Sequence, residues 1–196
     1  PEIVAGHSLG EYGALVAAGS LSFLDAVQLV RLRGKLMDEA TGDIEGGMAA
    51  IIGLDPAEVT EICEEASAAG TVQAANYNSP AQTAISGDKA GLEKAMEIAR
   101  EKGAKRALML PVSAPFHSSL MDPVADKFRP ALEEAEIRDS EVPVIANFTA
   151  RPETRAGDIR ENLIKQINGP VRWTESVQYM IAQGIDTFIE VGPGKV

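Results

Sequence analysis

Three residues near one end of the 196-residue chain leave little freedom to the fold around them: Gly6, Ser8 and Gly10, spaced as G-x-S-x-G in Gly6-His7-Ser8-Leu9-Gly10. An apolar run, Ile3-Val4-Ala5, comes directly before them, and a helix-forming stretch, residues 11–18, directly after. A serine between glycines at a strand-to-helix junction is a nucleophile elbow, a sharp turn that lifts the hydroxyl above the end of a sheet. Glycines on both flanks leave room for the turn, and the first amides of the new helix point at any negative charge that forms there. The element demands an α/β fold. It also makes Ser8 the candidate covalent nucleophile.

Further along, Ser22 is placed to cap a helix over residues 23–40, which Gly46-Gly47 closes off. The apolar periods then read strand (48–52), helix (56–69), strand (72–76), strand (82–86), helix (89–102) and strand (106–110). Asn78-Ser79-Pro80 supplies the turn between the middle strands. This β-α-β-β-α-β order is the split, ferredoxin-like unit. It predicts a ferredoxin-like subdomain over residues 45–111, inserted into an α/β domain made of residues 1–44 and 112–196. A Pro/Ser/His loop follows, then a helix (121–135), a strand (144–147), helices (158–166 and 174–183) and a last strand (187–191). A strand opens the chain almost at once and another nearly closes it, so the expectation is the middle of a longer α/β protein.

Composition narrows the partners. A net charge of −11 argues against nucleic acid or an anionic membrane surface, while leaving room for a local basic patch such as Arg100, Lys102, Lys105 and Arg106. No stretch approaches the roughly 20 apolar residues of a membrane span, and no signal-peptide pattern is present. Cys63 is the single cysteine, so neither a disulfide framework nor a thiolate metal cluster is expected, and a reducing cytoplasm fits.

A serine nucleophile needs a base, and the chain has two histidines. His7 sits inside the elbow and should leave the strand on the other face from Ser8. By elimination the base is His117, in the loop Pro115-Phe116-His117-Ser118. Arg33 is the second informative residue. On a helical wheel for residues 23–40, Gln28, Arg31, Lys35, Asp38 and Glu39 form a polar arc, while Ala26, Val27, Leu29, Val30, Leu36, Met37 and Ala40 form an apolar one. Arg33 falls in the middle of the apolar arc. A guanidinium keeps its proton, so when buried it must meet an anion, either an internal carboxylate or the carboxylate of a substrate.

A serine, a histidine and a buried arginine suggest acyl transfer from a substrate that carries a free carboxylate. The sequence closely resembles the malonyl-CoA:acyl carrier protein transacylases and the acyltransferase domains of fatty-acid and polyketide synthases. The matching segments are Gly6-His7-Ser8-Leu9-Gly10-Glu11, Val30-Arg31-Leu32-Arg33-Gly34-Lys35-Leu36-Met37, Asn76-Tyr77-Asn78-Ser79-Pro80, Pro115-Phe116-His117-Ser118, Pro170-Val171-Arg172-Trp173 and Glu190-Val191-Gly192-Pro193-Gly194. The resemblance implies an α/β-hydrolase-like domain with a ferredoxin-like insert, and transfer of malonyl from malonyl-CoA to acyl carrier protein without metal or organic cofactor. It makes Ser8 the acylated residue, His117 its base, Arg33 the binder of the malonyl carboxylate and the Leu9 amide an oxyanion donor. It also gives the main-chain carbonyl of Gln166 the task of orienting the histidine, and makes Phe116 and Leu9 malonyl-selecting types. The family's N-terminal Gly-x-Gly-x-Gln loop, source of the other oxyanion donor, is not in this sequence. A monomer is expected. The rival readings are a serine hydrolase or patatin-like lipase, an acyltransferase domain cut from a polyketide synthase, and a non-catalytic binding module.

Overall fold

A computed structural model describes residues 1–41, 45–112 and 114–192 as an α/β fold with two sheets. The chain opens with β1 (Val4–Ala5), α1 (Gly10–Ala17) and α2 (Phe23–Thr41). It continues through β2 (Gly46–Ile52), α3 (Pro56–Ala66), β3 (Val72–Ser79), β4 (Gln82–Asp88), α4 (Lys89–Glu101) and β5 (Arg106–Met109). A 3-10 turn over Ser119–Met121 then leads to α5 (Asp122–Glu134), β6 (Val144–Ile145), β7 (Pro152–Glu153), α6 (Ala156–Asn168) and α7 (Trp173–Ala182).

The smaller sheet has the order β1-β6-β7, with β1 parallel to β6 and β7 antiparallel to it. Helices α1, α2, α5 and α6 gather around a core that includes Tyr12, Leu15, Phe128, Leu132 and Leu163. Each such side chain, fully buried, contributes about 1.5–3 kcal/mol. The larger sheet is antiparallel throughout, in the order β3-β4-β2-β5. Its own core holds Ile51, Ile62, Ile85 and Leu92 under α3 and α4. Local chemistry starts those helices: Asp55 and Glu58 form a capping box on either side of Pro56 at the start of α3, and Asp88 caps α4 through the Gly91 amide. The two units meet where Asn76 bridges to Val171, with Tyr77 N–H on Val171 O at 2.9 Å and Val171 N–H on Ala75 O at 2.8 Å.

The element order matches the periodic reading as far as β6, with instructive differences, and β7 is a strand that reading lacks. The turn between β3 and β4 is Pro80-Ala81, and Asn78 and Ser79 lie within the strand. Ser22 does cap α2, its hydroxyl accepting from the Asp25 amide at 3.1 Å. On α2, however, Val27 is 46% exposed, so the buried arc of Ala26, Leu29, Arg33 and Met37 is narrower than the wheel suggested. The strand read at 187–191 does not form: Phe188, Ile189 and Val191 stand exposed, with no ladder partner among the described residues. An alternating apolar run becomes a strand only where a neighbour takes up its backbone groups. Residues 193–196, the first two of which belong to the last matching segment, lie outside the described residues. No helix among the described residues is long and apolar enough to cross a membrane.

Candidate active site

The elbow forms as a left-handed turn. Ser8 has φ 51°, a conformation that costs a non-glycine residue free energy unless its surroundings hold it. Of the two glycines, only Gly6 is required by space, since a Cβ there would lie 2.0 Å from the Gly10 carbonyl oxygen. A Cβ on Gly10 would meet nothing within 4 Å, which corrects the expectation that both glycines make room. Asn147 clasps the turn: its Oδ1 accepts from the Ser8 amide at 2.6 Å and its Nδ2 donates to the Gly6 carbonyl at 2.7 Å. Leu9, half-exposed, is the N-cap residue of α1, and its amide donates no hydrogen bond among the described residues.

His117 also has positive φ, 58°, and is buried in a loop held by the Ser118 hydroxyl on the Pro115 carbonyl at 2.6 Å. The ring spans two partners, Ser8 Oγ at 2.8 Å from Nε2 and the Gln166 main-chain oxygen at 2.8 Å from Nδ1. A carbonyl oxygen can only accept, so Nδ1 carries the proton and the Nε2 lone pair faces the serine hydroxyl. Burial, reinforced by the Arg33 guanidinium, holds the imidazole pKa down to about 3. The ring is neutral at ordinary pH and free to accept the serine proton.

Arg33 is 6% exposed and makes no ion pair among the described residues. Its Nη2 donates to Ser8 Oγ at 2.9 Å and to Gln166 Oε1 at 3.1 Å, while Nε is buried without a partner among the described residues. Burial pulls the guanidinium pKa down, and Tyr12 and Glu11 oppose that. An internal ion-pair partner is therefore not what holds it; a neutral amide and a hydroxyl do.

Ser8, Arg33 and His117 open onto a pocket of about 270 Å³, which Phe116, Asn76, His7, Met37 and Met48 complete. His7 thus lines the same pocket as Ser8, against the expectation that it leaves on the other face. Strand alternation stops at Ala5, where the chain enters the turn. There His7 Nε2 lies 2.8 Å from Asn78 Oδ1, and its ring meets Trp173 edge-on at 5.5 Å. Burial lowers its pKa as well. No cluster of three or more metal-ligating side chains occurs among the described residues.

Sequence reasoning missed Glu11, Asn147 and the side chain of Gln166. Glu11 is fully buried, with Oε2 accepting from Gln166 Nε2 at 2.8 Å and from the Asn147 amide at 3.2 Å. A carboxylate in the first turn of a helix is ordinarily a surface residue, so no local pattern signals its burial.

A family model described as acyl transferase domain matches residues 1–195. The chain is 52% identical over 197 residues to the malonyl CoA-acyl carrier protein transacylase of Bacillus subtilis (strain 168), covering 100% of this chain and 62% of that protein. To the malonyl CoA-acyl carrier protein transacylase of Escherichia coli (strain K12) it is 50% identical over 196 residues, 100% of this chain and 63% of that one. The fold matches the crystal structure of an acyl carrier protein S-malonyltransferase from Vibrio cholerae with a TM-score of 0.95 at 46% identity, over 99% of this chain and 63% of the other. The chain thus spans under two thirds of the length of the curated relatives it matches.

Proposed function

The chain belongs to the acyl transferase domain family, and from that premise we propose that it moves a malonyl group from malonyl-CoA to the phosphopantetheine thiol of acyl carrier protein through a malonyl-Ser8 intermediate. One observation carries the reading: Ser8 Oγ lies 2.8 Å from His117 Nε2 and 2.9 Å from Arg33 Nη2. In a malonyl ester on Ser8 the free carboxylate stands two carbons beyond the ester carbonyl. A cation that touches the ester oxygen can reach that carboxylate by a small side-chain movement, and a planar guanidinium holds it with two parallel bonds.

Ser8 Oγ attacks the thioester carbon as its proton passes to His117 Nε2, and the tetrahedral oxyanion faces the Leu9 amide at the start of α1. Collapse expels the CoA thiolate, which takes the proton back from the imidazolium. The carrier thiol then repeats the sequence against malonyl-Ser8, with His117 again the base. The Gln166 carbonyl keeps the ring in the tautomer this requires. Arg33 adds a selective device, since its uncompensated charge depresses the basicity of His117. A bound carboxylate neutralises that charge and makes the imidazole a better base, so a malonyl donor activates the nucleophile that attacks it. A hydrolase or patatin-like lipase has no use for such an arginine.

The supporting architecture reads as an α/β-hydrolase-like domain of residues 1–44 and 112–196 with a ferredoxin-like insert at 45–111, and Phe116 as a wall that favours malonyl. The partner would be the acidic carrier protein, docking on basic side chains, with no nucleic acid or membrane involved. Of the candidate patch, Arg100 is tied to the Ala107 carbonyl and Lys102 to Glu65, which leaves Lys105 and Arg106 as its most available charges. We assign the reaction to the cytoplasm, where the buried free thiol of Cys63 suits a reducing medium. The test is mass spectrometry after incubation with malonyl-CoA. A malonyl adduct is expected on the Ser8 peptide, discharged by holo-acyl carrier protein and missing from Ser8→Ala. Release of malonate to water in place of transfer would favour the hydrolase.

A further inference from the structure

We propose that Glu11 is the positioning residue of this site: one carboxyl oxygen, Oε2, anchors both Gln166 and Asn147, and through them fixes Ser8, His117 and Arg33 relative to one another. The proposal rests on the reading of Ser8 as nucleophile. Gln166 touches all three reacting groups. Its Nε2 donates to the Ser8 carbonyl at 2.9 Å, its Oε1 accepts from Arg33 and its main-chain oxygen accepts from His117. Asn147 holds the elbow from both sides of His7, through the Ser8 amide and the Gly6 carbonyl. Each of these residues also donates to Glu11 Oε2, from Gln166 Nε2 and the Asn147 amide. Oε2 is where the elbow clasp meets the histidine–arginine hub.

An amide side chain can present either end to its neighbours, so something must fix Gln166. Glu11 Oε2 and the Ser8 carbonyl both accept from Nε2, which turns Oε1 toward the guanidinium. The placement is costly. Burial pushes the Glu11 carboxyl up to about 8, with Glu153 adding to it while Gln166, Asn147 and Arg33 oppose. The group is therefore largely a neutral acid near pH 7. With its proton on Oε1, which has no hydrogen-bond partner among the described residues, Oε2 stays a pure acceptor for both donors. A leucine would fill the same space without the desolvation cost. Filling space is thus not enough to account for the carboxyl, whereas an acceptor at this point is.

The experiment compares Glu11→Gln, which keeps an acceptor oxygen, with Glu11→Leu, which keeps only the volume. The first readout is independent of any acyl donor: labelling of Ser8 by a fluorophosphonate, in which the serine oxygen bonds to phosphorus, fluoride leaves and the serine proton passes to His117. Glu11→Gln should label within about threefold of the unsubstituted chain. Glu11→Leu should label about tenfold to a hundredfold more slowly, the scale of a misplaced reacting group. The second readout is the malonyl-to-acetyl preference in acylation of Ser8, which falls in Glu11→Leu because Arg33 loses its fixed seat on Gln166. A loss of folded protein would slow both donors equally and leave that ratio unchanged. Full labelling of a folded Glu11→Leu, or loss of labelling in a folded Glu11→Gln, overturns the proposal. Should Glu11→Leu not fold, the Gln166 side-chain amide protons of the unsubstituted chain decide, since both must be protected from exchange. Exchange at the free rate overturns the anchoring. If malonyl-CoA leaves no adduct on a Ser8 that the fluorophosphonate does label, the malonyl reading fails while the Glu11 comparison still stands.

Discussion

Removing the Arg33 guanidinium should separate the malonyl donor from uncharged ones. The side chain is 6% exposed and is held by a hydroxyl and an amide with no carboxylate in ion-pair range among the described residues, and the proposed function gives its charge the malonyl carboxylate as partner. Truncating one member of a buried, hydrogen-bonded charge pair costs about 2–5 kcal/mol. For Arg33→Ala that is a fall of roughly 30-fold to 5,000-fold in kcat/KM for malonyl-CoA. Two smaller effects remain for acetyl-CoA. Ser8 Oγ loses a donor that favours its alkoxide, worth about 1.5–3 kcal/mol. In return His117 is relieved of the neighbouring cation that depresses its basicity. These oppose one another, so acetyl transfer should change by less than about tenfold. Arg33→Lys should recover only part of the malonyl rate, because an ammonium cannot offer two parallel donors. The assay is kcat/KM for both donors on one preparation of each variant, with its melting temperature. A parallel fall for the two donors would refute the carboxylate-clamp argument and leave Arg33 a packing residue of the elbow.

Gly6→Ala should abolish Ser8 reactivity and lower the melting temperature, because its Cβ would lie 2.0 Å from the Gly10 oxygen, whereas Gly10→Ala should be tolerated; equal outcomes would refute the close-approach account. His117→Ala should slow both acylation and deacylation of Ser8 by about 10² or more in single-turnover kinetics, and an unchanged acylation rate would point to another base. Stability should depend on pH in two directions. His117, depressed from 6.5 to about 3, makes stability fall as pH drops below 6.5, since the unfolded chain binds the proton first. Glu11, raised from 4.5 to about 8, makes stability fall as pH rises from 4.5 through 8, because the folded state holds the proton that the unfolded chain releases. Each group contributes a slope of up to about 1.4 kcal/mol per pH unit within its window. Urea midpoints of Glu11→Gln should accordingly flatten between pH 6.5 and 8, and an unchanged slope there would show that Glu11 is not buried as a neutral acid.

Much of this molecule is written in its local pattern. Gly6, Ser8 and the apolar run before them specify the elbow, and the alternating periods over 46–109 specify the order of β2 through β5, because both depend on residues near in sequence. Arg33 betrayed itself by its place on the buried arc of α2, since a single helix sets which residues share a face. Even His117 was reachable, by elimination in a chain with two histidines. The partners of these residues were not. Asn147 meets Ser8 across 139 positions and Gln166 meets Arg33 across 133. Strand alternation misjudged His7 because a turn at φ 51° obeys no period, and the run at 187–191 reads as a strand although pairing is a property of neighbours. Glu11 is the clearest case. In sequence it is one more acidic residue in the first turn of a helix, a place that favours solvent and the helix dipole. Only the approach of Gln166 from α6 and of the turn at Asn147 beyond β6 turns it inward, because burial and hydrogen-bond geometry are set by which surfaces meet, and no local pattern encodes that meeting.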